Sequence, residues 1–168
     1  MATLKTLKKI GKHPTWCGPS ALSILTGRSV NHCARLIAKR RNKKRGWYNG
    51  KGTSKQVKGS SNHEVKMALD AMGFEMIEVK VPLKHHKHQV YAVNQAAFVT
   101  PTLRAYMAER GGEQWKTPML INVTGHYVTA LKDEVSDNHS TSHYSKHPHR
   151  LKKIEKMWIV RRKRSKVA

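Results

Sequence analysis

A chain of 168 residues, 38% of them hydrophobic, has the size of one domain built on one apolar core. Its 33 Lys and Arg against 10 Asp and Glu leave a net charge of +23, which repels basic partners and attracts nucleic acid or a strongly acidic protein. Two cysteines exclude a disulfide framework and a zinc centre held by thiolates alone, and no apolar run is long enough to cross a membrane or form a signal core. A reducing compartment is therefore expected, with no membrane contact and no signal peptide, in the cytoplasm or inside a particle.

Residues 1–13 read as a basic arm that ends in a turn at His13-Pro14, and residues 14–160 as the folded domain. A first helix is signalled by Pro19 just inside its start, by Ala21, Leu22, Ile24 and Leu25 at helical spacing, and by Gly27 at its close. A second is expected from Asn31 as N-cap, with Cys33, Leu36 and Ile37 on its core side.

Residues 39–61 read as a basic, flexible loop. Positions 39–58 hold nine basic residues and no acidic one, with Trp47 and Tyr48 among them. Basic side chains around aromatics suit a nucleic-acid strand, because the charges track phosphates while the rings stack on bases. Lys39, Arg40, Arg41, Lys43, Lys44, Arg45 and Trp47 are the candidates here, joined by Arg161, Arg162, Lys163 and Arg164 of a basic tail, 161–168.

A third helix is expected over 62–72, stopped by Gly73, then a strand over 74–81 ended by Pro82. No clear period marks 88–99, and 101–110 reads as a short helix closed by Gly111-Gly112. Strands follow over 119–123 and 126–131, a turn at Lys132-Asp133-Glu134, a return over 135–138 and a last strand over 156–160. Helices early and antiparallel strands late make the class α+β.

Three segments carry chemistry: Trp16-Cys17-Gly18-Pro19-Ser20-Ala21-Leu22, Thr124-Gly125-His126-Tyr127-Val128 and Val135-Ser136-Asp137-Asn138. A thiol attacks as thiolate, and the unpaired N–H groups at a helix start lower its pKa. A histidine then serves as base or ion-pair partner, and a carboxylate or amide fixes its ring. Side chains alternate along a strand, so only one of Asp137 and Asn138 can face His126. A two-residue turn at Asp133-Glu134 pairs Ala130 with Asp137 and presents the acid, whereas a three-residue turn presents Asn138. Asp137 is expected, with Asn138 as the alternate.

This order resembles the papain-like cysteine-peptidase superfamily, and looks closest to its bacteriocin-leader-peptidase-like branch and to small phage proteins with a Cys-Gly-Pro-Ser/Thr-Ala-Leu helix. The resemblance spans roughly residues 14–160. It includes Ser61-Asn62-His63-Glu64 opening a helix that ends in Met-Gly-Phe, and Pro101-Thr102-Leu103 before the Gly-His-Tyr-Val strand. It implies a papain-like fold, N-terminal helices packed on a C-terminal antiparallel sheet. It also implies a phage-encoded cysteine peptidase or thiol hydrolase in which Cys17 attacks, His126 moves the proton and Asp137 orients His126. In that superfamily a Gln six residues before the cysteine usually binds the oxyanion; here Gly11 stands there. The backbone N–H of Cys17, with His13 or Thr15, is left for that role. Such a departure also suits a second outcome, a catalytically weak papain-like fold that serves as a structural or nucleic-acid-binding virion component.

Eleven histidines include His85-His86-x-His88 and His139-x3-His143-x3-His147-x-His149. No carboxylate or thiol accompanies these runs in sequence, so no metal or other cofactor is expected, and they read as polar loop residues.

Overall fold

Capping chemistry sets the helical half. The computed structural model describes residue 7 and residues 17–44, 59–86 and 97–163. Helix α1 (Cys17–Thr26) begins with the thiol residue itself, and Gly27 leaves it in the left-handed region that a side chain disfavours (φ 73°). Helix α2 (Val30–Lys44) starts one residue before Asn31, because Ser29 is the cap: its Oγ accepts the His32 N–H at 3.2 Å. This helix runs on through Lys44, so the expected loop does not begin at residue 39. Helix α3 (Asn62–Ala71) opens on a reciprocal cap. Ser61 Oγ accepts the Glu64 N–H, and Glu64 accepts the Ser61 N–H at 2.9 Å.

Strand β1 (Phe74–Val79) is followed by a short antiparallel pair, β2 (Lys84–His86) and β3 (Ala97–Val99). Helix α4 (Leu103–Glu109) is capped by Thr102, and helix α5 (Gly112–Lys116) continues where Gly111-Gly112 signals only a helix end. The rest is sheet: β4 (Met119–Val123), β5 (His126–Leu131), β6 (Glu134–Ser136), β7 (Thr141–His143) and β8 (Ile154–Arg162). With β1 they form an antiparallel sheet of six strands in the order β1-β8-β4-β5-β6-β7. Strand β8 is longer than expected. Arg161 and Arg162 belong to it, opposite Glu75 and Phe74, and not to a free tail.

Alternation along the strands gives the sheet two apolar faces. On one, Leu22, Leu25, Ile37 and Leu69 of α1–α3 pack against Leu120, Tyr127, Trp158 and Val160. On the other, Leu103, Tyr106 and Met107 of α4 meet Met119, Ile121, Val128 and Met157. Each fully buried Leu or Ile contributes roughly 1.5–3 kcal/mol. The result is one α+β domain, with helices leading and an antiparallel sheet behind them. Cys33 lies fully buried in the first core, as its helical spacing predicts.

Candidate active site

Cys17 occupies the first position of α1, whose next eight residues are all buried. Gly18 has no room for a side chain: a Cβ there would lie 2.6 Å from Ser60 Cβ and press on its hydroxyl. The first turn of α1 is thereby held against the segment leading into α3. Burial disfavours the Cys17 thiolate. Hydrogen bonds from the His126 side chain and the Tyr127 and Gly18 N–H groups, with the charge on His126, outweigh that and lower the pKa.

His126 is placed by a two-residue turn. Val123 pairs with His126, and both residues between them, Thr124 (φ 44°) and Gly125 (φ 75°), have positive φ, the backbone that matches strand twist in a tight hairpin. From the head of β5 the His126 ring donates from Nε2 to Asp137 Oδ2 at 3.1 Å, and it hydrogen-bonds Cys17 with the same imidazole. With Nε2 committed to the carboxylate, Nδ1 is left for the thiol. Burial disfavours charge on the ring, but Asp137 and Cys17 together push its pKa up to about 9.

The next turn brings Asp137 to His126, in a register that differs from the one expected. Leu131 pairs with Glu134, so the two-residue turn is Lys132-Asp133 and not Asp133-Glu134. Ala130 therefore faces Val135, and continuing the Thr129–Ser136 pairing sets Asp137 across from Val128. The shift is even in total, so the acid keeps the face that alternation assigns to His126. Helices α4 and α5 anchor the turn. Arg110 donates to the Lys132 carbonyl, Lys132 N–H to the Trp115 carbonyl, and Trp115 Nε1 to Asp133 Oδ1 at 3.3 Å.

Asp137 is buried and well supplied with donors. Its Oδ1 accepts the N–H groups of His139 and Ser140, each at 2.8 Å. Burial opposes its charge, but His126 and these two N–H groups hold it well below the usual carboxylate range. Asn138 turns instead toward His139, its Nδ2 2.9 Å from His139 Nε2.

Two further histidines surround the same carboxylate, although their run reads in sequence as polar loop residues with no carboxylate beside them. His149 Nε2 lies 3.1 Å from Asp137 Oδ2, its ring centroid 4.3 Å from that of His126, and fully buried His147 lies 3.9 Å from Oδ2 while pairing with Ser140 Oγ. They arrive because the start of α4 clasps the segment preceding β8: Leu103 and Arg104 N–H groups donate to the Lys152 and Arg150 carbonyls. Burial, then the charge on His126, pushes His149 down to about 4; burial also lowers His147. No spacing rule in the sequence links residue 137 to residue 149, since the approach is made by tertiary contacts. The only signal is the density of histidines after Asp137.

Fewer of the basic candidates can be placed. Arg41 forms a two-point pair with Glu64 (2.8 and 2.9 Å) and also reaches the Gly59 carbonyl, so it ties α2 to α3. Lys39 is exposed and Arg40 half-exposed on α2. Lys43 and Lys44 end that helix, while Arg45, Trp47 and Arg164 lie outside the described residues. Arg161 pairs with Glu75 and Lys163 with Asp70, and Arg162 sits over the Phe74 ring. Gly11, His13 and Thr15 also lie outside the described residues. Among the described residues no helix is long and apolar enough to cross a membrane. Comparison with family models, with curated proteins and with solved structures returned no match.

Proposed function

We propose that the chain is a papain-like thiol hydrolase of peptide or amide bonds. One observation carries this: a single imidazole, His126, joins a thiol at a helix start to a buried carboxylate. The Cys17 thiolate attacks the substrate carbonyl carbon, and the oxyanion that forms is met by backbone N–H groups at the start of α1. His126 gives its Nδ1 proton to the leaving amine as the C–N bond breaks, which leaves a thioester on Cys17. Neutral His126 then takes a proton from water, whose oxygen displaces the thiolate and releases the acid. Asp137 fixes the ring through Nε2 and stabilises the imidazolium.

The net charge of +23 and Gly11 in the place of an oxyanion-binding Gln favour a second reading. There the same fold serves chiefly to bind nucleic acid or an acidic partner, as a component of a phage particle. Alkylation with iodoacetamide or a thiol-reactive epoxide across pH separates the two. Hydrolase chemistry requires Cys17 to react well below the pH at which an ordinary thiol ionises, while buried Cys33 stays protected. A Cys17 that reacts no faster than a model thiol rules out the hydrolase.

A further inference from the structure

The cluster around Asp137 contains more than a triad needs. A ring-orienting carboxylate serves one histidine, yet a second ring nitrogen converges on the same oxygen. We infer that His126, Asp137 and His149 form a binding site for a divalent first-row transition ion of the zinc class. The two ring Nε2 atoms each lie 3.1 Å from Asp137 Oδ2, and one ligand atom from each of the three residues lies within 4.8 Å of the other two. Nitrogen and oxygen ligands held tetrahedrally at about 2.0–2.1 Å from zinc stand about 3.3 Å apart, so two of the three edges are close to the required length before any ion arrives. Two imidazoles and one carboxylate suit zinc, cobalt and ferrous ions better than calcium or magnesium, which take oxygen ligands.

The surroundings are those of a held ligand set. Asp137 Oδ1 is pinned by the His139 and Ser140 N–H groups, which aims Oδ2 at the two rings. The loop bearing His149 is fixed as well, its N–H bonded to His147 Nδ1 at 3.2 Å and its following carbonyls to α4. Asp137 is enclosed, but the side chains of His126 and His149 are 17% and 19% exposed, so an ion has a route in and a solvent-facing position for water. Binding takes the Nε2 lone pairs. The Nε2 proton of His126 goes to solvent and its Nδ1 proton stays toward Cys17, so the ring can no longer accept a proton. The ion would therefore act as a reversible inhibitor of the thiol. That consequence rests on the hydrolase reading, whereas ion binding does not.

The test uses the full chain carrying Cys17→Ser, in which no thiol chemistry is possible. Titration with Co²⁺ is expected to give one equivalent of intense visible absorption with no sulfur-to-metal charge transfer. His149→Ala, removing a direct ligand, should weaken this by more than the roughly 10–100-fold typical of an outer-shell change. Eleven histidines make binding elsewhere the competing outcome. Zn²⁺ titration followed by imidazole ¹⁵N resonances decides it without a mutation at the site: His126 and His149 should move, and the exposed His32 and His63 should not. Shifts at His32 and His63 alone, no visible bands, or an unchanged affinity in folded His149→Ala would overturn the site. Failure of Cys17 alkylation would leave these results untouched and would remove only the inhibitory consequence.

Discussion

At Asp137 a change of one atom separates orientation from charge. Asp137→Asn keeps the volume but loses the negative charge that steadies a His126 imidazolium. The Cys17 thiolate then loses part of its partner, and its alkylation near neutrality should fall about tenfold for each unit by which the thiol pKa rises. A rate equal to the unaltered protein would remove Asp137 from the site. The pH profile follows from two shifts of opposite sign. The Cys17 pKa is lowered and the His126 pKa is pushed up to about 9, so thiolate and imidazolium coexist between them. Alkylation needs only the thiolate, and should rise on the acid side and then stay level. Amide hydrolysis also needs the His126 proton for the leaving amine, and should fall again as pH passes about 9. Two parallel profiles would contradict the assigned roles. Cys17, His126 and Asp137 are legible in sequence because each stands at the end of an element marked by turn residues. His147 and His149 are not, because tertiary contacts from α4 bring them to Asp137.

Elements are legible where local chemistry decides them and illegible where the surroundings do. Gly27 closes α1, Ser61 and Glu64 open α3, and the β4–β5 hairpin turns at Thr124-Gly125. Helix α5 has five residues, too few for a periodic signal, and Arg161-Arg162 read as a tail because the exposed end of a strand tolerates charge. Ser29 displaces Asn31 as the cap of α2 because a cap acts on the N–H three residues on, and the two candidates lie two residues apart. Two substitutions test the packing that aims Cys17. Gly18→Ala forces α1 from Ser60, where the clash includes the unyielding Cβ, and should cost about 1–3 kcal/mol with a parallel loss of Cys17 reactivity. A thermal melt and an alkylation rate both unchanged would show that α1 does not depend on this packing. Ser61→Ala removes one half of the reciprocal cap and should cost about 1 kcal/mol in denaturant unfolding, with no change at Cys17.

Across the whole molecule, the charge and the site are separate properties. A net charge of +23 predicts binding to nucleic acid with little sequence preference, weakening steeply with salt as condensed counterions are released. Neutralising Lys43, Lys44 and Arg45 together should reduce the slope of that salt dependence by about 2–3, since each phosphate no longer neutralised lowers it by about 0.9. An unchanged slope would place the phosphate-binding residues elsewhere, and no binding at low salt would point to an acidic protein partner instead. The site makes a sharper claim, that Cys17 carries an acyl group which His126 then helps water remove. Intact-mass analysis of the chain during reaction with an activated acyl ester at neutral pH measures this directly. The expected result is an acyl adduct on Cys17 that forms and then decays with repeated release of acid, and that forms slowly and persists in His126→Ala. No adduct on Cys17, or the same formation and decay without His126, would contradict it.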